Sequence, residues 1–284
     1  MHDDFAIFII THKHPDKQLT YDTLRNCGYT GKIYLVVDDT DSTIQQYIDN
    51  YGKDNVVIFN KNYYINSERF DNGTNDSVYA CAVYARRAVE DIAKHLGYSY
   101  FVMADDDITK LSIRYPVSGK LKRLEITDLD SILDCYIDLV SNDGISCLGF
   151  GGVQNYFSGV DVFSENSLSK RLIPYWVFIR NAKYFVNWTN WYAEDDIATY
   201  TNNSLGMVST IVPYILAETE PIGTGSMQDV YESNNSFIMA MSELRYFPNI
   251  LLIYIRPKYS IPLFGVTRKN HNWYVKILSG RYKK

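Results

Sequence analysis

The sequence has no run approaching the ~20 consecutive apolar residues of a membrane-spanning helix. Its opening, Met1-His2-Asp3-Asp4-Phe5, lacks the basic region and small-residue cleavage site of a secretion signal. A soluble, cytoplasmic protein is expected, in the host cytoplasm if the chain is viral. Cysteines are few. Cys27, Cys81, Cys135 and Cys147 stand far apart with no CxxC pair, so neither a zinc knot nor a disulfide scaffold is indicated. There is no GxGxxG and no GxxxxGK followed by Ser or Thr, which removes the Rossmann dinucleotide and P-loop readings. Internal repeats and linker-like stretches are missing too. Acidic residues are absent from Leu252 onward, while Arg256, Lys258, Arg268, Lys269, Lys276, Arg281, Lys283 and Lys284 are basic and interleaved with aromatic residues. The net charge of −5 argues against a protein that coats nucleic acid, but a cationic end on an acidic body suits a phosphate-facing patch.

What is present is a core and a pattern. With 284 residues, 46% hydrophobic and 15% aromatic, the chain can bury a sizeable interior. The near-continuous apolar run Phe5–Ile10 reads as a strand buried on both faces. Lys17–Asn26 has helical spacing closed by Gly28. A second strand, Lys32–Val37, ends in Asp38-Asp39, and a helix over Ser42–Tyr51 leads to a third strand, Asn55–Asn60. This alternation predicts a doubly wound α/β sheet. Lys61–Ser77 reads as a polar loop and Val78–Leu96 as a long helix carrying Arg86 and Arg87. Beyond residue 107, Ile108–Lys122 reads as mixed and turn-rich, Asp128–Ser141 as a helix and Ile145–Gly152 as a strand ending in a bend. Pro174–Phe185 and Ile211–Ala217 read as further strands, and Met227–Leu244 as a helix.

The long helix feeds Tyr98–Ile108, an apolar strand that ends in Asp105-Asp106-Asp107. Three adjacent carboxylates repel one another, and oxygen-only ligands of this kind suit Mg²⁺ or Mn²⁺ rather than zinc. At the mouth of an open α/β sheet, where ligands bind, such a cation would also hold a phosphate. Thr11, Asp38 and Asp105, each at a strand end, are expected to share one rim, with His12 and His14 just after the first strand. A second acidic cluster, Glu194-Asp195-Asp196, follows the aromatic residues Trp188, Trp191 and Tyr192, of which at least one is expected to pack in the core.

Two acidic clusters roughly ninety residues apart, the first after a buried strand, resemble the GT-A class of glycosyltransferases. Asp105-Asp106-Asp107 stands in that class's DxD position and Glu194-Asp195 in its ED position. With Gly223-Thr224-Gly225-Ser226, they are similar to the phage glycosyltransferases that decorate hydroxymethylated DNA bases. The resemblance implies an α/β, GT-A-like (Rossmann-related) fold, with a central mostly parallel sheet flanked by helices in a single domain. Residues 1–250 would form the transferase domain, 1–110 its nucleotide-sugar half and 111–250 its acceptor half, with 251–284 closing the site.

By the same resemblance the activity is metal-dependent, inverting transfer from a nucleotide-sugar donor such as a UDP-sugar, with Mn²⁺ or Mg²⁺ as cofactor. Asp107 is implied as the first metal ligand, helped by Asp105 and by the late His271. Asp195 is implied as the catalytic base, with Glu194 positioning it. Thr11, His14, Asp38, Asp39, Arg86, Asp105 and Asp106 would contact the donor, and Trp188, Trp191, Tyr192 and Gly225 the acceptor. Two other functions compete. A transferase building surface polysaccharide or glycoprotein suits the acidic total. A non-catalytic nucleotide- or DNA-binding module has less need of the intact Asp105, Asp107 and Asp195 set.

Overall fold

The apolar runs form strands buried on both faces. The computed structural model describes residues 2–66, 82–142, 145–156, 159–163, 177–184, 186, 188–189, 194–220, 241, 244–246, 251–256 and 263–268. Strands β1 (Phe5–Ile10), β2 (Ile33–Asp38), β3 (Val56–Phe59) and β4 (Tyr100–Asp105) are mutually parallel. They occupy one half of a nine-stranded sheet whose order continues through β8 (Val177–Asn181), β7 (Ile145–Gly151), β9 (Val208–Thr219), β5 (Ile108–Val117) and β6 (Lys120–Glu125). β8 runs against both β4 and β7, β7 lies parallel to β9, and β5 and β6 return antiparallel. The mostly parallel α/β sheet is the expected architecture. A separate antiparallel pair joins β10 (Leu251–Arg256) to β11 (Leu263–Arg268).

Side-chain alternation in β1 sends residues to two layers. Phe5, Ile7 and Ile9 pack with α1 (Leu19–Asn26), α2 (Ile44–Tyr51) and α5 (Leu129–Asn142) through Leu24, Tyr47 and Leu133. Ala6, Phe8 and Ile10 pack on the other face against Val83, Ala88 and Val89 of α4 (Ala82–His95). Each Ile or Phe so enclosed contributes about 1.5–3 kcal/mol, which is why β1 lies mid-sheet.

Two segments depart from the sequence expectation. Lys61–Ile65 is a short helix, α3, rather than loop, because the Asn60 side chain accepts the Tyr63 amide and caps it. Ile108–Val117 and Lys120–Glu125 form a regular hairpin rather than a turn-rich stretch, closed by Ser118 and Gly119, both at positive φ. The helix expected over Met227–Leu244 falls mostly outside the described residues.

Gly28 ends α1 at φ +86°, and an added Cβ would stand 2.3 Å from the Thr127 carbonyl oxygen. Because that neighbour is backbone, Gly28→Ala is expected to cost roughly 2 kcal/mol. A thermal melt should fall by about 4–8 °C.

Antiparallel β8 is pinned from below by a buried ion cluster. Glu90 of α4 accepts from Arg180 at 3.3 Å, Arg87 at 3.4 Å and the Val186 amide at 3.4 Å. Arg87 and Arg180 are each 1% exposed. Glu90→Gln would remove the negative charge that faces both enclosed guanidiniums, so a loss of about 3 kcal/mol is expected in chemical denaturation. Unchanged stability would show the cluster to be open to water.

Candidate active site

Strand order reverses between β1 and β4, and in open sheets the crevice outside the carboxyl ends at such a point receives ligands. The β1–β4 register sets Ile10 opposite Asp105, which brings Thr11 level with Asp106. Thr11 Oγ1 donates to Asp106 Oδ2 at 2.6 Å, and His14 Nδ1 lies 3.2 Å from the same oxygen. Gln18 Nε2 donates to Thr11 Oγ1 at 2.8 Å, and the Tyr47 hydroxyl sits 3.0 Å from it while accepting the His14 amide at 2.8 Å. Asp106 thus locks β1 to β4.

Helix α1 clamps the backbone of the triplet. Thr20 Oγ1 donates to the Asp105 carbonyl at 2.6 Å and accepts the Ile108 amide at 2.9 Å. The Thr20 amide donates to the Asp106 carbonyl at 3.2 Å, and Thr23 Oγ1 to the Ile108 carbonyl at 2.9 Å.

The neighbouring rim is built at the end of β2. Asp38 Oδ2 lies 2.7 Å from His12 Nδ1, and its other oxygen accepts from Thr40. Burial opposes ionisation of Asp38, but the hydrogen bonds from His12 and Thr40 outweigh it and hold the carboxyl below its usual range. Asp39 is exposed and accepts the Lys61 amide at 3.0 Å. Asp41 receives the Lys13 amide and both donors of Thr43.

The two acidic clusters meet at Arg86. From α4 its Nη2 donates to Asp105 Oδ1 at 3.2 Å and its Nε to Glu194 Oε1 at 3.3 Å, with the side chain only 7% exposed. The guanidinium assigned by resemblance to donor phosphates is turned to these carboxylates. Burial opposes its charge, yet Asp105 and Glu194 raise its affinity for the proton above the ordinary value. Glu194 opens helix α6 (Glu194–Ser204), with Asp195 and Asp196 in its first turn, where the helix dipole favours anions. Asp195 Oδ1 accepts the Asp196 amide at 2.9 Å. Burial and mutual repulsion push Glu194 up, and burial pushes Asp195 up against the pull of Arg86.

Trp188 requires a correction. It is 3% exposed and lies 5.7 Å beneath the Arg86 guanidinium, so it supports that side chain instead of offering a face to an acceptor. Trp191, Tyr192, Gly225 and His271 lie outside the described residues.

Asp107 remains. Its Oδ1 is buried with no hydrogen-bond partner among the described residues. Burial, then Asp105 and Asp106, push the carboxyl up to about 7. No group of three or more His, Cys, Asp or Glu side chains among the described residues is arranged to hold a metal ion. A cation such as Mg²⁺ takes one or two carboxylates and completes its shell with substrate phosphates and water. An orphaned carboxylate oxygen beside two further acids fits such an ion.

The family model described as TET-Associated Glycosyltransferase matches residues 5–214. The chain belongs to that family. It is a glycosyltransferase, which sets aside the reading as a non-catalytic module. No curated protein sequence matches it significantly. Among solved structures it is similar to glucosyl-3-phosphoglycerate synthase from Mycobacterium tuberculosis, crystallised with Mg²⁺ and UDP, at 10% identity over 93% of this chain and 87% of that one, TM-score 0.49. It is also similar to the mannosyltransferase PcManGT from Pyrobaculum calidifontis, in complex with GDP-Man and Mn²⁺, at 10% identity over 85% and 64% of the two chains, TM-score 0.48. No helix among the glycosyltransferase's described residues is long and apolar enough to cross a membrane.

The sequence reading passed over several site residues. Thr20, Gln18 and Tyr47 complete the rim, and the available signal was polar groups on helix faces that also carry core residues.

The titration of Asp107 gives a test of whether a cation binds at the triplet. Unfolded, this carboxyl ionises near 3.8; folded, near 7. Between those values the folded state binds more protons, so its contribution to stability is present at low pH and is lost as pH rises through about 7. A divalent cation displaces the proton and reverses the loss. Melting curves with chelator and with Mn²⁺ should therefore separate increasingly from pH 5 to pH 8. Superimposable curves would rule out a cation at the triplet.

Proposed function

We propose that this glycosyltransferase moves a sugar from a nucleoside-diphosphate donor, a UDP-sugar by resemblance, to a hydroxyl on a hydroxymethylated base of phage DNA. Transfer inverts the anomeric carbon and uses Mn²⁺ or Mg²⁺. The observation that carries this reading is the connected row of carboxylates, running from Asp107, whose Oδ1 has no partner among the described residues, through Asp105 and Arg86 to Glu194 and Asp195. When bound, the cation would neutralise charge gathering on the leaving diphosphate.

Asp107 would supply it an oxygen ligand, and the rim of Thr11, His12, His14 and Asp38 faces the nucleotide. Asp195 takes the proton of the acceptor hydroxyl as that oxygen attacks the anomeric carbon. The bond from that carbon to the diphosphate oxygen breaks, and its electron pair leaves with the phosphate. A carboxyl raised by burial is a stronger base than a free one, and Arg86 holds Glu194 beside it. The cations and aromatic residues after Leu252 support DNA as the acceptor.

The test is mass spectrometry of hydroxymethylated DNA after incubation with the protein, Mn²⁺ or Mg²⁺ and mixed nucleotide-sugars. One glycosyl increment per modified base is expected. Modification of a polysaccharide or glycoprotein acceptor alone would reassign the acceptor. No turnover of any nucleotide-sugar would reject the donor class.

A further inference from the structure

The hairpin of β5 and β6 carries charge that the catalytic row does not use. Between Lys110 and Glu125 stand five basic residues, Lys110, Arg114, Lys120, Lys122 and Arg123, against the single acid Glu125, in a chain whose acids outnumber Lys and Arg by 33 to 28. Pairing of β5 with β9 ends at Ile113 opposite Ile215, whereas pairing with β6 continues to Val117 opposite Lys120. Beyond Ile113, among the described residues, β5 is therefore paired with β6 alone, as a two-stranded ribbon.

Alternation sorts its side chains. Tyr115, Val117, Lys120, Lys122 and Leu124 share one face, and all five are exposed. Lys122 stands directly opposite Tyr115, and Lys120 opposite Val117. On the other face Arg114 stands opposite Arg123.

Sheet edges are often guarded by lysine or proline against pairing with other chains, and Pro116 and the β6 lysines serve that need. Edge protection requires neither charge of one sign nor two arginines in register, a pairing that destabilises a ribbon. Among the described residues Arg123 meets Glu218 at 2.6 Å and Lys110 meets Glu125 at 3.3 Å, while Lys120 and Lys122 have no acidic partner. A ring beside unpaired cations on an extended strand is the chemistry that receives a nucleic-acid strand, with phosphates on the cations and a base on the ring.

We propose that this ribbon is the surface on which the acceptor DNA lies, with backbone phosphates on Lys120 and Lys122 and a base or deoxyribose against Tyr115. The inference rests on DNA being the acceptor. The ribbon begins at Ile108, the residue after Asp107, so DNA held there is tethered to the strand that carries the donor site.

The experiment compares the wild-type protein with Lys120→Gln/Lys122→Gln and with Tyr115→Ala. Binding of single-stranded and duplex oligonucleotides carrying a hydroxymethylated base is read by fluorescence anisotropy across a salt series, and donor hydrolysis without DNA is read in parallel. The double variant should bind with a salt slope shallower by about 1.4–1.8. Tyr115→Ala should bind roughly tenfold more weakly. Both should hydrolyse donor as the wild type does. Wild-type affinity and slope in the double variant would overturn the ribbon while leaving the DNA reading intact. A wild-type protein that turns over donor yet binds no DNA at low salt would overturn the DNA reading itself. Binding of anionic lipid vesicles in place of DNA, lost in the double variant, would reassign the ribbon to a membrane surface.

Discussion

Asp107→Asn is expected to abolish metal-dependent donor binding and to lower transfer by roughly 10³-fold, about 4 kcal/mol of transition-state stabilisation. The neighbouring acids cannot replace it. Asp105 is held by Arg86 and Asp106 by Thr11 and His14, whereas Asp107 keeps a buried oxygen without a partner among the described residues. The same substitution removes one of three crowded carboxylates. Without metal and above pH 7 the variant should therefore melt higher than the wild type, the opposite sign to its effect on activity. Isothermal titration of nucleotide with and without Mn²⁺, together with melting curves, separates the two effects. Full retention of metal-dependent binding would place the cation elsewhere.

Asp195→Asn should leave donor binding intact and reduce transfer by roughly 10²–10⁴-fold, the range of a lost general base. Asparagine keeps an oxygen able to accept the Asp196 amide, so the start of α6 is preserved. The neighbouring Glu194→Gln is the contrasting case. It keeps an oxygen for Arg86 Nε but removes the negative charge that shares Arg86 with Asp105. Its damage should therefore extend to donor affinity, visible as a change in KM as well as kcat. An Asp195→Asn protein with wild-type turnover would reject Asp195 as the base.

The strands that carry the rim were legible because burial on both faces writes a continuous apolar run. Phe5–Ile10 and Tyr100–Asp105 match the expected segments, and the acids fall where β4 stops. The hairpin was legible in principle: Leu111, Ile113, Tyr115 and Val117 alternate with Lys110, Ser112, Arg114 and Pro116. One exposed face and a proline hid that period-two signal among turn-forming residues. The bridging role of Arg86 had no sequence signal, because Asp105 and Glu194 lie 19 and 108 residues away and only the stacking of α4 on the sheet brings them to it. Which of the three aromatic residues packs inside was not legible for a related reason. An aromatic before an acidic cluster has the same composition whether it faces an acceptor or lies under a guanidinium.

The clamp of Thr20 and Thr23 on the Asp105–Ile108 backbone has a kinetic consequence. Every one of its bonds spans more than eighty residues of chain, so the turn that carries the acidic triplet has no local means of taking shape. It can close only after α1 has docked against β5 and the N-terminal half has assembled, which makes recovery of donor binding a late event in refolding. Once closed, the Ile108 amide is tied to Thr20 whether or not a cation is present. In the resting protein that amide should exchange its hydrogen with deuterated water at the slow rate of the core strands, not at the rate of a surface loop.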